Sequence, residues 1–305
     1  MSEKFRTLRD MASLGAQHQR TRATLYGVIA AALIGAGHSA EARITQFQIS
    51  SQTPAFGGMS FGAVGPYETI IGRASGEVDP NDPLNAVITD VQLAPRNSRG
   101  MVEYSMDVVI TKPVDLSKGN GTILHDVPNR GAIRSPEMNI GGDANNLGDG
   151  FLENQGFTLV DNGWEGDINT GLRVTLPVAK NADGSVITGR VRSEYILTSP
   201  ASTQDLTRVP AYEAVSTDNT DATLTRRVHQ HDPKEAIPNS QFAFADCSVT
   251  PFPGVPSTTK VCLNGGFDTN HIYELVYTAK NPTVMGLGFA ATRIWFRSCV
   301  TAARA

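Results

Sequence analysis

The chain has 305 residues, of which 40% are hydrophobic and 18% are charged, and its formal net charge is −4. This composition favours a folded protein of one or two domains over a disordered chain. A mildly acidic chain lacks the basic character of most nucleic-acid-binding domains, so we expect no nucleic-acid partner. The 29 glycines and 17 prolines favour turns and short strands over a helical bundle.

Residues 1–42 have the features of an export signal. Arg20 and Arg22 precede an uncharged, mainly apolar run, Leu25–Gly37, and Ala40-Glu41-Ala42 fits the pattern before a signal-peptidase cleavage site. We place cleavage after Ala42 and expect a periplasmic or secreted protein. The apolar run is shorter than the roughly 20 residues of a spanning helix. Membrane attachment is therefore expected only if the segment stays uncleaved.

The three cysteines can be interpreted in the light of export. Cys247 and Cys262 flank a Pro-rich segment and form a plausible disulfide in an oxidising compartment, with two free thiols as the alternative. Their spacing matches no zinc pattern. Cys299 is then left without a partner.

Alternating or short apolar runs, bounded by turn residues, predict strands in the first part of the mature chain. The predicted strands are Arg43–Ser50, Tyr67–Val78, Ala86–Leu93, Met101–Thr111 and Thr122–Val127. The last of these, TILHDV, has the short apolar core that is typical of a buried strand.

The pattern after that strand predicts a βαβ unit. Asp149–Gln155 is a short candidate helix with Gly156 at its end, and Phe157–Val160 is the next buried strand. Strand, helix and strand in this order imply a parallel pair with a right-handed crossover.

Strand character then returns. Leu172–Ala179 and Ser185–Ser199 are predicted to pair as a hairpin around the turn Asn181–Gly184. Ile272–Thr278 is a further predicted strand.

The last predicted element is a helix over Thr283–Phe296. The Asn-Pro dipeptide at 281–282 supplies the residue types of a helix N-cap and first position. Val284, Leu287 and Phe289 would form an apolar face, and we expect little in this chain to cover it.

The loop after Thr122–Val127 carries the main site candidates, which are Pro128, Asn129, Arg130 and Gly131. In parallel α/β sheets, ligands bind beyond the carboxyl ends of the strands. Backbone N–H groups of a tight loop could there face a substrate oxyanion. The alternative is that Arg130 pairs with a nearby carboxylate and holds the loop.

Trp164 follows the next strand and should lie at the same edge of the sheet. It could form the wall of a pocket or simply cover the end of the sheet. Glu165 or Asp167 could orient the loop that carries Arg130.

Two short motifs fit a functional site less well. Ser60 lies in a G-x-S-x-G pattern, but no buried strand precedes it and Pro66 interrupts any helix that follows. His229 and His231 would share one face of a strand, but a metal needs a third ligand and none is evident. We therefore expect no metal and no cofactor.

Five longer blocks resemble the exported α/β-hydrolase-domain proteins, a bacterial family. The matching stretches are FGAVGPYETIIGRASGEVDP, NAVITDVQLAPRNSRGMVEYSMDVVI, GNGTILHDVPNRG, GFLENQGFTLVDNGWEGD and IYELVYTAKNPTVMGLGFAATR. The resemblance covers about Phe47 to Arg293. It implies an α/β protein with an incomplete α/β-hydrolase fold and a strand-rich N-terminal half.

The resemblance also implies a division of the chain. Residues 43–293 would be the N-terminal part of the hydrolase domain, with a β-rich insertion at about 172–277 and a divergent tail at 294–305. The loop Pro128–Gly131 would be the oxyanion loop.

The activity that the resemblance implies is that of an esterase-like serine hydrolase with a small-molecule, ester-like substrate. The nucleophile, acid and histidine follow the last predicted helix in that family, so we expect them beyond the chain end and a truncated, inactive protein. The alternative is a non-catalytic exported β-rich module that binds a carbohydrate or a protein. A third hypothesis makes Ser60 a nucleophile with His125 as its base.

Overall fold

The computed structural model describes residues 42–143, 146–207 and 212–304. The chain divides into two compact units, the second of which is Val178–Thr283, close to the β-rich segment expected at about 172–277. The predicted export signal lies outside the described residues except for Ala42. No helix in the described ranges is both long enough and apolar enough to cross a membrane.

The first unit contains seven strands and two α-helices among its described residues. The strands are β1 (Arg43–Pro54), β2 (Ser60–Phe61), β3 (Gly65–Val78), β4 (Val102–Pro113), β5 (Ile123–Asp126), β6 (Thr158–Asn162) and β7 (Val174–Thr175). The helices are α1 (Phe151–Asn154) and α2 (Leu287–Arg304). Short 3-10 turns occupy Phe56–Gly58, Pro83–Asn85, Val91–Leu93, Leu116–Lys118 and Ser135–Met138.

All seven strands belong to the main sheet; five follow the order β1-β3-β4-β6-β5, while β2 pairs with β3 and β7 pairs with β4. The pairs β1–β3, β3–β4 and β4–β6 are antiparallel. Strand β5 pairs with β6 in parallel, which confirms the parallel pair predicted from the βαβ pattern.

Helix α2 packs against strands β1 and β4. Tyr104, Met106 and Val108 are buried at alternating positions of β4 and so point to one face of the sheet. The rings of Phe47 on β1 and Trp295 on α2 lie 5.2 Å apart. The core of the first unit therefore depends on the last helix as well as on the sheet.

An α/β-hydrolase fold, complete or incomplete, is the wrong fold class for this chain. Strands make up 42% of the residues and helices 15%, and α1 spans only four residues. An α/β-hydrolase alternates its strands with helices that cover a mainly parallel sheet. In this chain 3-10 turns and loops connect most strands of the first unit, and short connections favour antiparallel neighbours.

The predicted strand Ala86–Leu93 is also wrong. The Asp82 carboxylate accepts a hydrogen bond from Leu84 N at 2.9 Å and caps the 3-10 turn Pro83–Asn85. Asp90 has a φ of 62°, a left-handed conformation that an extended strand does not contain. Turn-forming residues therefore outweigh the strand propensity of the two valines and the isoleucine in this segment.

Helix α2 begins later and runs further than the sequence predicts. Asn281 has a φ of 61°, whereas an N-cap residue is normally extended, and the helix begins at Leu287. It continues to Arg304. Ile294 and Trp295, which follow the end of the family resemblance, are both buried.

The second unit consists of short strands in three sheets. The strands are β8 (Thr188–Ile196), β9 (Ala201–Asp205), β10 (Thr223–Arg227), β11 (Glu235–Ile237), β12 (Phe242–Ala243), β13 (Ala245–Asp246), β14 (Val255–Pro256), β15 (Lys260–Phe267) and β16 (Ile272–Lys280). Their orders are β11-β10-β16-β8, β12-β15-β9 and β13-β14. The core is rich in aromatic side chains, among them Phe242, Phe267, Tyr273 and Tyr277.

The hairpin predicted for Leu172–Ala179 and Ser185–Ser199 is wrong beyond its turn. Strand β7 pairs with β4, and β8 pairs with β16. Only the turn forms, with Asn181 N donating to Ser185 O at 3.0 Å. The two segments that flank the turn pair with other strands of their own units instead of with each other.

The predicted disulfide between Cys247 and Cys262 is confirmed. Both cysteines are buried, and the partly buried ring of Phe252 packs against them. Cys299 has a free thiol and is half-buried.

Candidate functional site

The parallel pairing of β5 with β6 brings four polar side chains to one end of the main sheet. Asp126 and Asp161 are register partners, and His125 and Asn162 are their respective neighbours in sequence. Because successive side chains of a strand point to opposite faces, His125 and Asn162 lie on one face and the two aspartates on the other. The two faces therefore carry different polar groups.

A hydrogen-bonded chain links His125, Asn162 and Thr292 on the face that carries helix α2. Asn162 Oδ1 lies 2.6 Å from His125 Nε2, and Asn162 Nδ2 donates to Thr292 Oγ1 at 2.9 Å. Since the amide accepts only through its oxygen, His125 donates from Nε2. The chain fixes the orientation of the His125 ring and ties α2 to the end of β6.

The loop after β5 is fastened to the segment that follows β6. Arg130 Nη1 donates to Glu165 Oε1 at 3.0 Å and lies 3.5 Å from Asp167 Oδ1. Trp164 Nε1 donates to Pro128 O at 2.7 Å. These contacts hold Arg130 at a φ of 54°, which residues other than glycine rarely adopt. The pairing of Arg130 with a nearby carboxylate, one of the two sequence-based alternatives, is thus observed.

Asn129 and Gly131 shape the same loop. Ala132 N donates to Asn129 O at 3.1 Å and closes a tight turn. Gly131 has a φ of 80°, and a Cβ atom there would lie 2.7 Å from Thr170 O, so only glycine fits. The expected role of this loop in binding an oxyanion stays a prediction.

Close backbone packing sets the position of Trp164. A Cβ atom on Gly288 would lie 1.9 Å from Trp164 O, so glycine allows α2 to pack directly on this carbonyl group. Gly163 packs in a similar way against the backbone of Arg173. The two glycines place Trp164 between α2 and the chain that leads into β7.

Helix α2 carries two stripes of side chains. The buried stripe consists of Leu287, Ala290, Ala291, Ile294 and Trp295. The second stripe, Phe289, Thr292, Arg293 and Phe296, has the i, i+3, i+4, i+7 spacing that places residues on one helix face. Phe289 is 68% exposed and Phe296 is 42% exposed. Of the three residues expected to lack cover, Leu287 and Val284 are buried and only Phe289 is exposed.

A groove of about 350 Å³ lies between this second stripe and the ends of β5 and β6. It is lined by His125, Val127, Trp164, Phe289, Thr292, Arg293 and Phe296. The ring centroids of Trp164 and Phe289 are 5.2 Å apart, and those of His125 and Phe296 are 5.5 Å apart. Such distances are typical of packed aromatic pairs, so the walls of the groove are aromatic.

On the opposite face, Asp126 and Asp161 form a carboxyl pair. Asp126 Oδ2 accepts a hydrogen bond from Arg134 N at 2.7 Å, whereas Asp161 Oδ1 is buried without a hydrogen-bond partner among the described residues. Burial, followed by the charge of Asp126 and a hydrogen bond between the two groups, raises the pKa of Asp161 to about 8. Asp161 therefore keeps its proton at neutral pH.

The two weaker sequence motifs lie elsewhere. Ser60 is exposed in the two-residue strand β2, and a turn and β3 follow it where a nucleophile elbow needs a helix. His229 Nδ1 lies 2.9 Å from Asp232 Oδ2 on the surface. Within the described ranges, no group of three or more His, Cys, Asp or Glu side chains is arranged to hold a metal ion.

The sequence predicts Trp164 as a site residue but not most of the groove. It suggests His125 only as a base for Ser60, and it does not identify Arg293 or Phe296 as site residues. The available signal was the helical spacing of residues 289–296, which continues past the point where the family resemblance ends.

The chain matches no family model, no curated protein and no solved structure. The resemblance to exported hydrolase-domain proteins therefore stays a prediction.

Proposed function

We propose that the first unit is a non-catalytic binding module whose groove takes a small, apolar, ester-like molecule. The observation that carries this proposal is the exposed stripe of α2, on which Phe289 and Phe296 face the groove at 68% and 42% exposure. Side chains of this size are usually buried, and exposed clusters of them commonly mark binding surfaces. The aromatic walls would exclude water from a bound acyl chain.

The size of the groove supports a small ligand. Its volume of about 350 Å³ lies at the lower end of the range of about 300–1,000 Å³ that is usual for ligand pockets. Trp164 and Phe289 on one side and Val127 on another supply apolar contacts, while His125 and Arg293 add a few polar groups. An apolar lining with few polar groups is the usual composition of such sites.

The lining residues favour binding over covalent chemistry. No Ser or Cys side chain is among the residues that line the groove in the described part of the chain. The one hydroxyl group, that of Thr292, accepts a hydrogen bond from Asn162. The serine-hydrolase activity that the family resemblance implies stays a prediction that requires residues other than these.

The chain offers its own reporter for a binding experiment. Trp164 and Trp295 are its two tryptophans, and Trp295 is buried on the face of α2 that packs against the sheet. In a Trp295→Phe background, the fluorescence of Trp164 should change saturably as methyl hexanoate is added. We expect Phe289→Ala to weaken this binding about fivefold, because one aromatic wall is lost.

The control is Phe151→Ala. Phe151 is 51% exposed on α1 and does not line the groove. This variant should bind like the parent protein. Equal binding by the parent and by Phe289→Ala, or the absence of a saturable signal, would contradict the proposed function.

A further inference from the structure

We infer that the groove prefers an apolar carboxylate to a neutral ester and that Arg293 is the residue that recognises its charge. The inference rests on the proposed function, because it names the class of ligand that the same groove would take. It adds a specificity-determining residue to a site whose other walls are apolar.

The position of Arg293 on α2 brings its side chain to the groove. Arg293 stands four residues after Phe289 and three before Phe296, so its side chain shares a helix face with both rings. It lines the groove and is exposed. A ligand that covers the two rings with its hydrocarbon part can therefore place an anionic end group beside the guanidinium group.

The charge of Arg293 is not neutralised by an ion pair within the described part of the chain. Arg293 forms no salt bridge with any residue of the described ranges. It lies close enough to Tyr104 to act on that phenol, but burial keeps the pKa of Tyr104 well above its usual value and the phenol neutral. An arginine without a counter-ion in an aromatic groove favours an anionic ligand.

Two carboxylates that follow Trp164 in sequence already have a partner, and Asp126, between His125 and Val127, lies on the opposite face of the sheet. Glu165, the residue after Trp164, pairs with Arg130, and so does Asp167. Arg130 thus partly neutralises the negative charge on that side. Glu165 and Asp167 would then repel a ligand carboxylate less strongly, and Arg293 would attract it.

The test compares two ligands that differ in charge. Hexanoate and methyl hexanoate share one acyl chain, and Trp164 fluorescence in the Trp295→Phe background reports both. We expect hexanoate to bind about fivefold more tightly than the ester, as for one exposed charge-assisted contact. Raising the salt concentration should weaken the binding of hexanoate and leave that of the ester unchanged.

Substitutions of Arg293 then identify the origin of the preference. Arg293→Gln should bind the two ligands equally, and Arg293→Lys, which keeps the charge, should retain part of the preference. Arg96→Gln serves as the control, because Arg96 is an exposed arginine of the first unit that contacts Gln92 and does not line the groove. It should behave like the parent protein.

The outcomes separate this inference from the proposed function. Equal binding of both ligands to the parent protein would overturn the carboxylate preference and leave the groove as a binding site. Binding of neither ligand would overturn both proposals. Concentration-dependent dimerisation that Phe289→Ala abolishes would identify a second copy as the occupant of the groove and would also overturn both.

Discussion

The indole ring of Trp164 and the phenyl ring of Phe289 lie 5.2 Å apart, although one follows strand β6 and the other belongs to the last helix of the chain. Their approach depends on Gly288, whose missing side chain allows α2 to pack on the Trp164 carbonyl group. The aromatic wall of the groove is therefore built by a backbone contact between two distant segments. A change at that contact should alter both stability and binding.

Gly288→Ala tests this contact. The added Cβ atom would lie 1.9 Å from Trp164 O, so the helix must shift. We expect a loss of about 1–3 kcal/mol in the free energy of unfolding, as for other overpacked sites, and weaker ligand binding. Denaturant unfolding followed by Trp164 fluorescence measures the first effect.

Gly189→Ala is the control for this substitution, since a Cβ atom at Gly189 would meet no heavy atom within 4 Å. Its unfolding midpoint should stay close to that of the parent protein. Equal stability of the Gly288→Ala variant and the parent would contradict the proposed role of Gly288.

Asp161 should make the stability of the first unit depend on pH. Its pKa is raised from a usual value of 3.8 to about 8 in the folded protein. Between these values the folded state binds more protons than the unfolded state, so the free energy of unfolding falls as pH rises. Asp161→Asn removes this ionisation, and its stability relative to the parent should increase from pH 5 to pH 8.

Thermal or denaturant unfolding of both proteins at a series of pH values measures this difference. Asp126→Asn provides a second check, because removal of the neighbouring charge should move the transition of Asp161 to lower pH. Parallel pH profiles of the parent and Asp161→Asn would show that Asp161 is ionised at neutral pH, against this account.

Glu274 should have the opposite pH dependence in the second unit. Burial raises its pKa, but hydrogen bonds from Lys234 and Arg192 outweigh burial and lower the pKa from 4.5 to about 2. Its stabilising contribution is therefore present above pH 4.5 and is lost as pH falls through 2. Glu274 also lies 3.6 Å from Arg227, whose side chain is 3% exposed.

Glu274→Gln should thus lower the free energy of unfolding by about 3 kcal/mol at pH 7, because the buried Arg227 loses a counter-ion. The difference from the parent should shrink as pH falls from about 4.5 towards 2. Glu235→Gln is the matched control, since Glu235 is 64% exposed and pairs with the surface residue Arg226. A smaller loss of about 1 kcal/mol or less is expected for it, and similar losses for both variants would be evidence against a buried network.

The disulfide should stabilise the second unit. Cys247 and Cys262 are separated by 15 positions, and closing a loop of that length contributes about 3 kcal/mol on the chain-entropy model. A reducing agent should lower the unfolding midpoint of the parent protein and of Cys299→Ser, but not that of a Cys247→Ser/Cys262→Ser variant. An unchanged midpoint of the parent under reducing conditions would contradict this prediction.

Local signals in the sequence predicted most strands of the first unit but not its architecture. Period-two alternation located β1, β3 and β4, and the order of elements around Gly156 predicted the parallel pair β5–β6. These features depend on neighbouring residues. The order of the strands in the sheet depends on contacts between distant segments. The family resemblance implied an α/β-hydrolase layout, and that layout has the wrong strand pairs.

The residues of the candidate site also fall into those that local sequence signals predict and those that depend on distant contacts. Trp164 and Arg130 can be predicted because each follows a predicted strand, and the ends of these two strands lie at one edge of the sheet. Their contacts with Pro128 and Glu165 join the two segments that follow these strands. Arg293 and Phe296 lie in the predicted helix, but the sequence does not show that this helix meets the ends of β5 and β6, which are distant in the chain. Asp161 gave no signal, since its raised pKa results from burial that only the folded sheet produces.

The most direct test of the binding groove uses the two indole N–H groups of the chain as NMR probes. Trp164 Nε1 donates to Pro128 O at the groove, whereas Trp295 is buried against the sheet. Titration of the ¹⁵N-labelled protein with hexanoate should shift the Trp164 indole signal saturably and leave the Trp295 signal nearly unchanged. A Trp164 signal that does not move, or equal non-saturating shifts of both signals, would contradict binding in the groove.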